Sequence, residues 1–112
     1  MRIAIPIADE RLAMHFGHCA QFALIDADPE QKTILKQEVI DAPPHVPGLL
    51  PHWLGERGVT VIIAGGMGAR AQELFAEQNI QVVIGAPPEP AEWLVSEFLN
   101  GTLIAGVNIC DH

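Results

Sequence analysis

Two apolar runs flanking a helix-period segment constrain this chain more than any other feature. Residues 59–64 and 80–84 are near-continuous apolar segments, and between them lie Gly65-Gly66-Met67-Gly68 and a stretch in which Ala71, Leu74, Phe75 and Gln78 share one helical side. Strands of that kind are buried on both faces, which requires helical cover and parallel pairing through a crossover. Ala86-Pro87-Pro88 interrupts the pattern, and Leu94, Val95, Phe98 and Leu99 restore helical spacing over residues 90–99. The second half therefore reads β-α-β-α, with a right-handed βαβ unit at its centre.

The first half has a different grammar. Ile3, Ile5 and Ile7 alternate along a first strand, which Pro6 deprives of one ladder donor near its end. Residues 21–26 and 33–40 are strand-like and are separated by the turn-forming Asp28-Pro29-Glu30. Residues 41–51 hold Pro43, Pro44, Pro47 and Pro51, so they form a loop that leads into a short helix. Pro51 suits that helix's first turn, Trp53 and Leu54 give it an inward side, and Gly58 is placed to end it in a left-handed cap. The expected architecture is α/β: an antiparallel meander followed by βαβα in one mixed five-stranded sheet with flanking helices. A single domain spans residues 1–112, with a metal-binding tail at 101–112.

Charge narrows the function classes. The chain carries six Lys and Arg against fourteen Asp and Glu, a formal net charge of -8, and its basic residues are scattered. A phosphate backbone is repelled by such a surface, so no nucleic-acid partner is expected. With 49% hydrophobic and 18% charged residues, disorder is set aside. No apolar stretch approaches the length of a membrane span, and residues 1–7 alternate where a signal sequence runs apolar, so a cytoplasmic location with no membrane partner is expected. In that compartment Cys19 and Cys110 are free thiols or ligands.

Soft donor atoms gather in the segments that carry no periodicity. His15, His18 and Cys19 fall within residues 14–19, alongside Met14, with Phe16 to anchor the loop and Gly17 to turn it. Cys110 and His112 are one residue apart in the tail and point the same way if it is extended. His45 and His52 flank the proline-rich loop, with His52 the less favoured of the two. Gly66, Met67 and Gly68 stand between a buried strand and a helix, where free backbone donors and the helix dipole favour an anion. The turn lacks the Lys and Ser or Thr of a phosphate-binding loop and the third glycine of a dinucleotide fingerprint, so a nucleotide is disfavoured. A sulfide-rich cluster is itself anionic, and Met67 offers one more soft contact.

Together the amino-terminal strand, the His15-Phe16-Gly17-His18-Cys19 segment, Gly65-Gly66-Met67-Gly68 and Gly101-Thr102-Leu103 resemble the dinitrogenase iron-molybdenum cofactor biosynthesis family, which includes NifX, NafY and the carboxy-terminal domain of NifB. The resemblance covers about the whole chain. It implies a ribonuclease H-like α/β fold and a small carrier or chaperone that is not an enzyme. The implied cargo is a metal-sulfur cluster of iron, molybdenum or both, or a single soft metal ion, received from a donor protein and passed to an acceptor. It also implies that His15, aligned with the family's His-Phe-Gly motif, is the first ligand. The Cys110-Asp111-His112 ending departs from the family pattern. A second expectation is therefore a structural zinc or single-ion site of His45, Cys110 and His112 in an interaction or regulatory module. The implied fold also raises a nuclease as a rival, which requires clustered carboxylates. Asp9 and Asp26 are available, but a third and fourth have no counterpart and the chain is acidic overall, so a nuclease is disfavoured.

Overall fold

A computed structural model describes residues 1–13, 20–44, 46 and 48–103. β1 (Arg2–Ala8) lies at the centre of the sheet, and its alternation divides the core in two. Ile3, Ile5 and Ile7 face one side, where they pack with Ala23, Ile25 and Ile63 beneath Leu94 and Val95 of α3 (Ala91–Leu99). Ala4 faces the other side, where Phe22, Leu24 and Ile62 meet Leu54 of α1 (Leu49–Glu56) and Phe75 of α2 (Ala69–Glu77). Among the described residues the result is three layers, with α3 above the sheet and α1 and α2 below.

The remaining strands are β2 (Arg11–Leu12), β3 (Gln21–Asp28), β4 (Thr33–Asp41), β5 (Val61–Ile63) and β6 (Gln81–Val83). The sheet runs β4-β3-β1-β5-β6, with β2 added beside β1 as a sixth strand. β1 pairs antiparallel with β3, and β3 with β4, while β1, β5 and β6 are parallel. Meander and crossover unit thus join in one mixed sheet, as the apolar patterns require. The two-residue β2 is the strand that the sequence patterns miss. β5 is shorter than its apolar run, yet Thr60 N–H still bonds to Arg2 C=O (2.9 Å) and Ala64 N–H to Val83 C=O (2.8 Å), so the run is held at both ends.

Pro6 sits in a central strand, where proline is rare. Its carbonyl accepts from Ala13 N–H (2.8 Å), so residue 6 turns its backbone polar groups away from β3. The donor it lacks faces the place where β5 has ended and β2 takes over the pairing, so no continuous ladder is broken.

The three helices among the described residues stop in the same way. Gly58 (φ 78), Asn79 (φ 60) and Gly101 (φ 71) follow α1, α2 and α3 in the left-handed region. The next residue bonds back five positions: Val59 to Leu54 (3.2 Å), Ile80 to Phe75 (3.0 Å) and Thr102 to Glu97 (2.8 Å). Val59 and Ile80 are buried against the same cluster as Leu54 and Phe75, which directs the chain from each helix into the next strand.

At the opposite end of β1, the Arg2 guanidinium holds Asp26 of β3 through Nε (2.7 Å) and Nη2 (3.2 Å) and also donates to Arg57 C=O (2.6 Å). The hydrogen bond from Arg2 holds the Asp26 carboxyl below its ordinary value of 3.8. A folded-state value below the unfolded one means the pair stabilises the fold in full above that ordinary value and loses its contribution as pH falls through the depressed one. Both side chains are about one-third exposed (33% and 31%), so solvent screening limits the contribution. Asp26→Asn is expected to cost under about 1 kcal/mol at neutral pH. Melting curves of the variant and wild type should converge in strong acid, and a constant gap across pH would refute the assignment.

Candidate functional site

The parallel strands β1, β5 and β6 end on one rim of the sheet. β5 runs out into Gly65, whose carbonyl accepts from Gly85 N–H (2.9 Å), tying together the exits of β5 and β6. Gly65 and Gly66 are buried and Gly68 is exposed. Met67 is 1% exposed and packs into the core with Phe75, so the turn's one large side chain lies inward. Gln72 Nε2 donates to Met67 C=O (3.0 Å), fastening the turn to the first part of α2. Gly68 precedes α2 in an extended conformation (φ -66, ψ 156) with no side-chain cap, and no acidic residue lies in the helix's first turn. The opening backbone donors of α2 and the positive end of its dipole are thus left without a carboxylate from their own helix.

The segment carrying His15, His18 and Cys19 lies outside the described residues, but its two ends are fixed on this rim. Ala13 bonds to Pro6 near the end of β1, and Ala20 C=O accepts from Ala42 N–H (2.9 Å). Gln21, the next residue, pairs with Ile7 on one side and Asp41 on the other. β3, β1 and β5 are adjacent strands, so the chain enters and leaves residues 14–19 within about 10 Å of the glycine turn. The loop that carries His45 starts after Asp41 on the same rim, and His45 itself lies outside the described residues. His52 is exposed on α1, 2.9 Å from Glu56.

The tail starts elsewhere. α3 begins beside the rim, where Pro90 bridges Arg11 and Leu12 N–H bonds to Glu89 C=O (3.1 Å). Nine helical residues then carry the chain about 13 Å back toward the far end of the sheet. Cys110 and His112 follow in residues 104–112, outside the described residues, so the proposed union of the tail with His45 or His15 falls there too. Among the described residues no group of three or more His, Cys, Asp and Glu is arranged to hold a metal ion.

A cleft of about 460 Å³ opens on the other face, beneath the start of α3, lined by Asp9, Glu10, Arg11, Gln37, Val39 and Glu92 among others. Its carboxylates make it a poor seat for an anion, in contrast to the glycine turn. Asp9 (φ 54) and Glu10 (φ 66) form the two-residue turn between β1 and β2, both in the left-handed region. Asp26 pairs with Arg2 at the far end of β1, so Asp9 and Asp26 are separated by the length of a seven-residue strand, about 20 Å. They do not form a carboxylate pair.

Comparison with known proteins bears on the family and the fold. The family model described as dinitrogenase iron-molybdenum cofactor matches residues 1–101. The chain is 28% identical over 106 residues to the uncharacterized protein MJ0580 of Methanocaldococcus jannaschii, covering 92% of this chain and 89% of that one. A crystal structure of the protein PH0822 superposes with a TM-score of 0.85 at 29% identity, over 94% of both chains. The apo form of the orange protein from Desulfovibrio gigas has a TM-score of 0.72 at 20% identity, over 96% of this chain and 93% of that one, a likeness of fold. The family match stops at residue 101, short of the Cys110-Asp111-His112 ending.

Proposed function

This chain belongs to the dinitrogenase iron-molybdenum cofactor family, and from that premise we propose that it carries an anionic metal-sulfur cluster, or a soft metal ion, between a donor and an acceptor protein. The proposal includes a ribonuclease H-like chain path, supported by the strand order β4-β3-β1-β5-β6 with its antiparallel and parallel halves. It also includes a cytoplasmic setting and a carrier that performs no turnover. The separation of Asp9 and Asp26 weighs against the nuclease reading alone, because two-metal nuclease chemistry needs its carboxylates together. No helix among the described residues is long and apolar enough to cross a membrane.

One observation carries the reading: the uncapped start of α2 and both ends of the His15–Cys19 segment share a rim. In this proposal His15 is the leading ligand, with His18, Cys19 and His45 joining from the same side. Gly66 and Gly68 offer backbone donors to cluster sulfurs, and Met67 anchors the turn from within. Few protein ligands suit a cargo that must leave, whereas a closed four-ligand site retains its ion.

The test is anaerobic purification followed by elemental analysis for iron, molybdenum, copper, zinc and labile sulfide. Wild type is expected to hold metal, and uptake should fall as pH drops through the imidazole range near about 6.5, because the ligands must be deprotonated. His15→Ala should lose roughly tenfold or more in affinity, and Cys110→Ala should lose less, since its tail leaves from the far end of α3. Equal metal content in wild type and His15→Ala would refute the site.

A further inference from the structure

β4 ends the sheet among the described residues, and it carries two large exposed apolar side chains, Leu35 (67% exposed) and Val39 (50%). Its hydrogen-bonding parity is fixed by the bond from Ala42 N–H to Ala20 C=O, directly beyond the Gln21–Asp41 pair. Alternation then turns the backbone groups of residues 36, 38 and 40 toward β3 and those of Gln37 and Val39 outward. The register shift between Asp26 and Ala27 makes Leu35 the extra residue of a bulge, so the regular outer edge runs from Lys36 to the rim.

Native proteins guard such edges with charge, and Lys36 would serve that purpose alone. Here, however, Glu38 follows two residues later, and the edge reads Leu35-Lys36-Gln37-Glu38-Val39. That order is self-complementary about Gln37. Antiparallel pairing with a second copy, centred on Gln37, puts Lys36 opposite Glu38 twice, at non-hydrogen-bonded positions where cross-strand side chains lie closest. It puts the exposed Leu35 opposite the exposed Val39 twice, so that the large apolar side chains meet on both sides of the central Gln37 pair. Centring one residue earlier or later sets Lys36 against Lys36 or Glu38 against Glu38. We infer that the β4 edge is an interface for a second copy of this chain, joined antiparallel about Gln37 into a continuous sheet. Five paired residues per copy fall well below the area of a standard interface, so the dimer is weak and concentration-dependent.

The full-length chain should pass from monomer to dimer in sedimentation experiments between micromolar and millimolar concentration. Lys36→Glu and Glu38→Lys each set like charges opposite one another at both symmetric positions, and each should require roughly tenfold or more protein to dimerise. An equimolar mixture of the two variants restores opposite charges at both positions and should dimerise as wild type does, as heterodimers distinguishable by a mass tag. Both positions are exposed, and thermal melts check that each variant is folded, since Lys36 also faces Asp26 within the chain. A wild type that stays monomeric at millimolar concentration overturns the inference. So does a single variant that dimerises as readily as wild type, or a mixture no stronger than its components.

Discussion

Phe75→Ala is expected to lower the unfolding free energy by about 3–5 kcal/mol. Phe75 is fully buried and is the one residue of α2 that the structure records as buried. Its ring packs in the cluster that holds Leu54, Ile62, Met67 and Ile80, so it joins α2 to α1, to the sheet and to the glycine turn at once. Its carbonyl also accepts from Ile80 N–H, the bond that closes the helix and starts β6. Truncation leaves a cavity bounded by elements that cannot all collapse into it, which puts the cost at the upper end for a core aromatic. Phe75→Leu conserves most of the volume and should cost less than about 1.5 kcal/mol. Urea unfolding of the two variants measures the difference. A Phe75→Ala cost near 1 kcal/mol would mean that α2 is held by something other than this ring. Loosening α2 should also weaken metal uptake, because Met67 loses the packing that fixes the turn.

What the amino-acid order reveals about this fold depends on how each residue is held. The runs at 59–64 and 80–84 are legible because both faces are covered, and α3 is legible because Leu94 and Val95 recur on one side. Gly58 is legible as a cap because glycine marks left-handed backbone, whereas Asn79 performs the same task unannounced. The β1–β2 hairpin is hidden for that reason: its turn is Asp9-Glu10, both left-handed, without the glycine that normally signals such a turn. α1 begins at Leu49, two residues before Pro51, because Gly48 (φ 81) already turns the chain into it. At the site, the glycine turn is legible from its place between an apolar strand and a helix. The rim it shares with Ala13, Ala20 and Ala42 depends on antiparallel register, and register leaves no mark on the ligand segments themselves. Met67 shows the limit of reading by residue type, since a thioether that looks like a ligand in the sequence lies in the core.

Gly68→Asp should move stability and cargo binding in opposite directions. Gly68 has an extended backbone that any residue adopts (φ -66, ψ 156), and a Cβ built there meets nothing within 4 Å. Nothing local therefore requires glycine at this position. An aspartate would cap α2, accepting from its first N–H groups and meeting the positive end of its dipole, for a gain of a few tenths to about 1 kcal/mol. The same carboxylate would occupy the donors proposed for the cluster and set a negative charge roughly 4 Å from an anionic cargo. At a surface-like effective dielectric that repulsion is worth up to about 4 kcal/mol, so even with heavy screening binding should fall tenfold or more. Gly68→Ser takes the donors without the charge and should fall between, while Gly68→Ala does neither and should bind as wild type. Thermal melts paired with anaerobic cluster titrations read both quantities on the same four proteins. A Gly68→Asp variant that melts higher and still binds as wild type would move the anion seat away from the start of α2, whatever His15 does.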